Sequence, residues 1–191
     1  MPDLIILAGP NGAGKSTLAP LLLPHGLGLV DYVNADAIAQ GLSAFAPETV
    51  AFEAGRIMLR RLDELASQQV SFAFETTLAT RSYAPRLREL CLRGYRVHLV
   101  FLWLPTAEVA VRRVRERVSA GGHAVPEEVI RRRYERGRRN FLDLYQSLAT
   151  TWTVYDNSVP PKSVLMATGR QGEPPTLHRV DLWYKFCRRG Q

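Results

Sequence analysis

Short, nearly unbroken apolar runs alternate along this chain with longer segments in which apolar residues recur every three or four positions. The first run, DLIILAG, is too continuous for a strand with one wet face and suits a strand buried on both. LGLVDYVNAD predicts a second short strand ending near Asn34 to Asp36. SFAFETTLA predicts a third, the almost wholly apolar YRVHLVFLWLP a fourth, and TWTVYDNSV a fifth. Between them the spacing turns helical. One helix is expected from Lys15 through Leu23, short or bent because Pro20 removes a backbone donor. Val50, Ala54, Ile57, Met58, Leu62 and Leu65 mark the next. YAPRLRELCLRG predicts a helix stopped by Gly94, and TAEVAVRRVRERVSA one capped by Thr106. GGHAVP breaks the pattern. A long helix follows, with Pro126 at its first position, running to QSLA. Beyond Pro160, SVLMATGR and TLHRVDLWYKF each read as a strand or a short helix, with GRQGEPP as a surface loop between them.

Strand and helix in alternation predict a mostly parallel sheet with right-handed crossovers and helices on both faces. The 191 residues suit one domain. Composition is that of an ordinary globular protein, 46% hydrophobic and 23% charged. No apolar run approaches the roughly 20 residues that span a bilayer. Met1 to Leu7 lack the flanks of a signal peptide, so the expected location is cytoplasmic, with no membrane partner. Cys91 and Cys187 are too few and too far apart for a disulfide framework or a metal motif.

In folds of this kind ligands bind beyond the carboxyl ends of the strands. The motif GPNGAGKST lies there, after the first strand. Gly9, Gly14, Lys15 and Ser16 satisfy G-x-x-x-x-G-K-[ST], in the strand-to-helix context that the pattern requires. The cradle comprises Gly9, Asn11, Gly12, Ala13, Gly14, Lys15, Ser16 and Thr17. Glycines let backbone N–H groups turn toward phosphate oxygens, Lys15 reaches the β- and γ-phosphates, and Ser16 offers its hydroxyl to Mg²⁺. ATP or GTP with Mg²⁺ are the cofactors expected. The fold class is therefore α/β, a P-loop NTPase-type parallel sheet of about five to six strands.

Asp36, just past the second strand, is placed to accept the proton of an attacking hydroxyl. It can equally cap a helix, and Asn34 can bind substrate or orient the loop. Glu75, Thr76 and Thr77 end the third strand, where Glu75 can hold Mg²⁺ through water or bind substrate. YDNS, residues 155 to 158, either borders the nucleotide base or makes a plain Asx turn.

The net charge is +7, and all but three of the 25 basic residues are arginine. Ten arginines face four glutamates between Arg112 and Arg139. That excess would attract a polyanion, and two helices around a glycine break suit a lid over approximately residues 112–139. Arg117 before the break, and Arg132 or Arg133 after it, are candidates to stabilise transferring phosphoryl charge. His123, in the break, is a candidate substrate or phosphate contact.

GPNGAGKST, NAD, FETTLA, RVSAGGHAVPEEVIRRRY and YDNS together resemble the zeta-toxin family of P-loop kinases, in its short stand-alone bacterial branch. The resemblance implies transfer of a γ-phosphoryl group to a small-molecule substrate, which in that family is the 3′-hydroxyl of UDP-N-acetylglucosamine. It also implies a small helical antitoxin as partner. It matches Lys15 and Ser16 to the phosphate loop, Asp36 to the catalytic base, Glu75 to the acid beside it, and Arg117 and Arg132 to the lid arginines. The chain is shorter than many members, and no motif marks a sugar-nucleotide pocket. The alternative is a nucleic-acid-directed kinase or a basic nucleic-acid-binding P-loop protein. It is disfavoured because the arginines sit in lid-like helices without an aromatic-rich binding motif. A nucleotide switch or mechanical ATPase lacks a clear Walker B motif.

Overall fold

A computed structural model describes residues 1–122, 124–159 and 162–188. Its centre is one seven-stranded sheet in the order β2-β3-β1-β4-β5-β6-β7. The strands are β1 (Asp3–Ala8), β2 (Tyr32–Val33), β3 (Phe72–Thr76), β4 (Arg96–Trp103), β5 (Thr151–Val159), β6 (Lys162–Arg170) and β7 (Thr176–Leu177). The first five run parallel, β6 pairs antiparallel with β5, and β7 pairs antiparallel with β6. The sheet thus has one strand, β7, beyond the about five to six expected from the sequence. SVLMATGR is the strand β6, and TLHRVDLWYKF divides into β7 and a helix, α8 (Val180–Cys187).

The apolar continuity of β1 has its cause in this order. β1 lies between β3 and β4, and Leu4, Ile6, Leu7 and Ala8 are fully buried. On one face Leu4, Ile6, Phe72, Phe74 and Leu99 meet α3 (Ala51–Ser67), α4 (Tyr83–Leu92) and α8. On the other, Ile5, Leu7 and Ala73 meet α1 (Lys15–Pro20). The chain winds outward from β1 to β2, back to β3, then across β1 to β4. The crevice at the carboxyl end of β1 is therefore the topological switch point.

Several element boundaries differ from the sequence reading. α1 stops at Pro20 rather than Leu23 and continues as a π-helical stretch, Leu21–Gly26. Pro20 and Pro24 both lack the N–H that a regular α-ladder needs, and the coil widens. The segment after β2 shortens that strand to two residues because Asn34 already caps α2 (Ala35–Leu42). Pro126 is the residue before the first helical position, not that position itself. α6 runs Glu127–Asn140, passes into a π-helical turn Phe141–Tyr145, and ends in α7 (Gln146–Leu148). Thr106 caps α5 (Ala107–Ser119) as expected, accepting from the Val109 N–H. Gly94 has the positive φ of a helix stop. No helix among the described residues is long and apolar enough to cross a membrane.

Trp152 and Trp183 stack with ring centroids 5.5 Å apart. A Cβ on Gly169 would lie 2.3 Å from the Trp152 ring. Gly169→Ala is expected to lower the unfolding free energy by about 1–3 kcal/mol. Gly55→Ala, inside α3 where a Cβ meets nothing within 4 Å, should raise it by roughly 0.5–1 kcal/mol. Urea denaturation of the two variants checks both signs.

Candidate active site

The phosphate loop connects β1 to α1 and is built on close backbone approach. Gly9 has φ +139°, and a Cβ there would sit 2.2 Å from the Leu102 carbonyl oxygen. Gly14 has φ +88°, and its Cβ would meet the Asn157 amide nitrogen at 2.7 Å. Asn157 is the clamp. Its Nδ2 donates to the Ala13 carbonyl at 2.7 Å, and its Oδ1 accepts from Ser163 at 2.7 Å. Arg113 completes the grip, donating to the carbonyls of Gly12, Asn157 and Ser158 at 3.4, 2.8 and 2.9 Å. Register shifts in the β5–β6 ladder at Asp156–Val159 turn Asn157 toward the loop. The Asx turn foreseen in YDNS also forms, with the Ser158 N–H donating to Asp156.

Lys15 is buried, with its Nζ donating to the Pro10 carbonyl at 2.9 Å. Its nearest carboxylate is Glu75 at 3.6 Å. Burial pushes the Lys15 amine below its ordinary range, against the pull of Glu75 and Asp36, and the nearby Arg117 charge lowers it further. Glu75 is the hub of the site. Its second oxygen accepts from Ser16 at 2.9 Å, Tyr32 at 2.6 Å and Asn34 at 3.1 Å. Burial and the Glu75 charge push the Tyr32 phenol far above its ordinary value, so it stays a donor.

The two readings of Asp36 separate cleanly. Asn34 is the helix cap, accepting from the N–H groups of Asp36 and Ala37 at 2.8 and 3.3 Å. The Asp36 side chain, in the first turn of α2, lines the cleft instead, with its charge acting on Lys15. That cleft has a volume of ≈ 320 Å³. Asn11, Lys15, Asn34, Glu75, Thr76 and Thr77 line it with Asp36. Asn11 is buried, and its Oδ1 has no hydrogen-bond partner among the described residues. Thr76 also holds its own loop, its hydroxyl accepting from the Leu78 N–H at 3.0 Å. Thr17 stands exposed in the first turn of α1. His123 lies outside the described residues.

The arginines divide by task. Arg132, Arg133 and Arg136 of α6 line the cleft. Arg117, in the last turn of α5, is not among the lining residues and acts on Lys15 through its charge. Arg112, Arg115 and Arg131 pair with lid glutamates: Arg112 with Glu116, Arg115 with Glu127, and Arg131 with Glu108 and Glu127. Arg138 is buried, donating to the carbonyls of Phe186 at 2.8 Å and of Arg188 at the end of α8. Sequence reasoning missed Arg136, Arg113, Tyr32 and the clamping role of Asn157. For Arg136 a signal existed, since it lies four residues from Arg132 on the same helical face. Nothing in the sequence pairs Asn157 with Ala13, 144 residues away.

No group of three or more His, Cys, Asp or Glu side chains among the described residues could hold a metal ion. Mg²⁺ needs less from the protein when phosphates complete its shell. Ser16 Oγ and Glu75 Oε2 stand 2.9 Å apart. Both are oxygen donors, the ligand type that Mg²⁺ takes.

A phosphate loop at the switch point of a largely parallel sheet, with a carboxylate and arginines over one cleft, defines the class: a P-loop kinase fold. The zeta toxin family profile matches residues 1–160. The chain belongs to that family. An uncharacterised protein of Haemophilus influenzae is 28% identical over 130 residues, covering 68% of this chain and 91% of that one. The structure of AvrRxo1-ORF1:-ORF2 with ATP superposes over 97% of this chain with a TM-score of 0.79 and 20% identity. This chain spans 63% of that longer one. A structure from the PezAT chromosomal toxin-antitoxin system of Streptococcus pneumoniae matches over 82% of this chain and 68% of its own, with a TM-score of 0.60 and 18% identity. At these identities the two structures speak to the fold.

The lid pairs carry a pH signature. The hydrogen bond from Arg131 holds the Glu108 carboxyl at about 2, against an ordinary 4.5. Its folded value is depressed, so its contribution to stability is present above pH 4.5 and is lost as the pH falls through about 2. Carbon-13 NMR titration of Glu108 should find that midpoint, and Arg131→Ala should move it upward but short of 4.5, because the Glu108 N–H and the Thr106 hydroxyl still hold the carboxylate.

Proposed function

We propose that this chain transfers the γ-phosphoryl group of ATP or GTP to a hydroxyl of a small anionic metabolite. The observation that carries the reading is a single cleft lined by Lys15, Asp36 and three arginines of α6. Its ≈ 320 Å³ lies at the lower end of small-ligand sites. Lys15, buried beside one carboxylate, is held ready for phosphate. Asp36, freed from capping by Asn34, is the base for the attacking hydroxyl. Arg132, Arg133 and Arg136 balance the acceptor's charge and the charge of the transferring group, with Arg117 contributing from α5. Ser16 and Glu75 would hold Mg²⁺, which when bound neutralises phosphate charge. Asn34, Thr76 and Thr77 bind the acceptor.

UDP-N-acetylglucosamine is the first acceptor to test, on the strength of the family. A small helical antitoxin is the partner proposed on the same ground. The nucleic-acid reading loses support, because at least five of the ten lid arginines are engaged within the protein, Arg112, Arg115 and Arg131 by glutamates and Arg113 and Arg138 by backbone carbonyls.

Asp36→Asn should lower phosphoryl transfer by about 10²–10⁴-fold while affinity for a fluorescent ATP analogue stays close to that of the wild type. Transfer is measured with γ-labelled ATP, first with UDP-N-acetylglucosamine and then with a bacterial metabolite extract. Full transfer by the variant removes Asp36 as base. Label entering only added oligonucleotides favours the nucleic-acid-directed kinase.

A further inference from the structure

The acceptor side of the cleft includes the turn after β3, where Thr76, Thr77, Ala79 and Thr80 line the wall. Between them stands Leu78 with φ +55°, a conformation that residues with side chains avoid. A turn needed only to reverse the chain would carry glycine there without strain. Here the conformation is over-determined. The Leu78 side chain is fully buried in the core. Its N–H donates to the Thr76 hydroxyl at 3.0 Å. Its carbonyl accepts from the Asn140 Nδ2 at 2.8 Å.

Asn140 is the last residue of α6, is buried, and arrives from 62 residues away in sequence. Its own Oδ1 accepts from Arg81 Nε at 3.2 Å. One turn earlier, Gly137 lets the helix lie so close that a Cβ would be 2.1 Å from the Thr77 carbonyl oxygen. Just beyond, the Tyr145 hydroxyl donates to the Thr80 carbonyl at 2.7 Å. Three successive contacts thus fasten the acceptor loop to α6, which brings Arg132, Arg133 and Arg136 into the cleft, and to the π-helical turn that continues it. Strain that is held in place by its surroundings at a functional wall points to pre-organisation.

We infer that Asn140 is a positioning residue for the acceptor, fixing the Thr77–Thr80 wall against the arginine-bearing face of α6. The inference rests on the phosphotransfer reading for its consequence, though not for its geometry. Asn140 does not line the cleft. It acts through the Leu78 carbonyl, with Tyr145 acting in parallel through Thr80.

Asn140→Asp keeps the size of the side chain and replaces the donor with an acceptor facing that carbonyl. Tyr145→Phe removes the second bond and carries the same test should the first variant fail to fold. Three readouts are taken: label transfer from γ-labelled ATP to a bacterial metabolite extract, affinity for a fluorescent ATP analogue, and hydrogen exchange over residues 76–81. Displacement of a reacting group by about 1 Å costs on the order of 100-fold, so Asn140→Asp is expected to lower transfer by about 10- to 100-fold. Affinity for the nucleotide analogue should remain near the wild-type value, and exchange over 76–81 should accelerate while β1 is unchanged. Tyr145→Phe should shift transfer and exchange the same way by a smaller factor. Wild-type transfer and wild-type exchange in both variants overturn the inference. So does nucleotide affinity falling in step with transfer, which marks a general loss of structure. Should the wild-type protein label nothing, the phosphotransfer reading fails by itself. Exchange then decides this inference, and unchanged protection over 76–81 overturns it.

Discussion

A buried ammonium cannot stand alone, and the active end of this protein is arranged around that constraint. Lys15 is removed from water, and the Glu75 carboxylate 3.6 Å away is the counter-charge that makes its burial tolerable. The pairing of β1 with β3 supplies it, because the register sets Leu7 opposite Glu75 and brings the acid beside the phosphate loop. The polar side chains on the β2 and α2 side of the loop then answer to Glu75. Tyr32 and Asn34, from the edge strand and the cap of α2, donate to it, and so does Ser16. Asn34 uses its other end to start α2, which is what turns Asp36 into the cleft.

The lid helices solve a different problem, that of carrying many arginines without repulsion. The charge is divided. Glutamates take up Arg112, Arg115 and Arg131, backbone carbonyls take up Arg113 and Arg138, and Arg132, Arg133 and Arg136 of α6 are concentrated at the cleft. α6 can serve as a rigid mount because it is fastened at both ends. Ile130 and Tyr134 pack with α5, and Asn140 and Tyr145 anchor the other end to the turn after β3. Arginine wall and threonine wall are therefore joined by direct contacts.

Much of this was legible in the chain because it depends on local pattern. Continuous apolar runs marked the buried parallel strands, and glycine spacing marked the phosphate loop. Asp36, Glu75, Thr76 and Thr77 were expected near the loop because strand ends in such a sheet share one edge, and all four line the cleft. Less was legible where two chemistries compete for one residue. Asn and Asp cap helices about equally well, so NAD could not say which residue caps and which is left for the cleft. The end of β2 at Val33, the π-helical form of the bend at Pro20 and the choice between strand and helix beyond Pro160 were left open for a related reason. Their limits depend on packing and donor loss spread over several residues.

The sequence by itself determined the fold class, the family, the phosphate loop and the carboxylates at the strand ends. Each follows from patterns spanning a few residues and from the periodicity of the backbone. Only the tertiary structure decided which arginines reach the cleft, that Asn157 clamps Ala13, and that Asn140 holds Leu78 in a left-handed turn. Those contacts join residues 62 to 144 positions apart. Their partners are fixed by helix packing and sheet register, which no local pattern encodes.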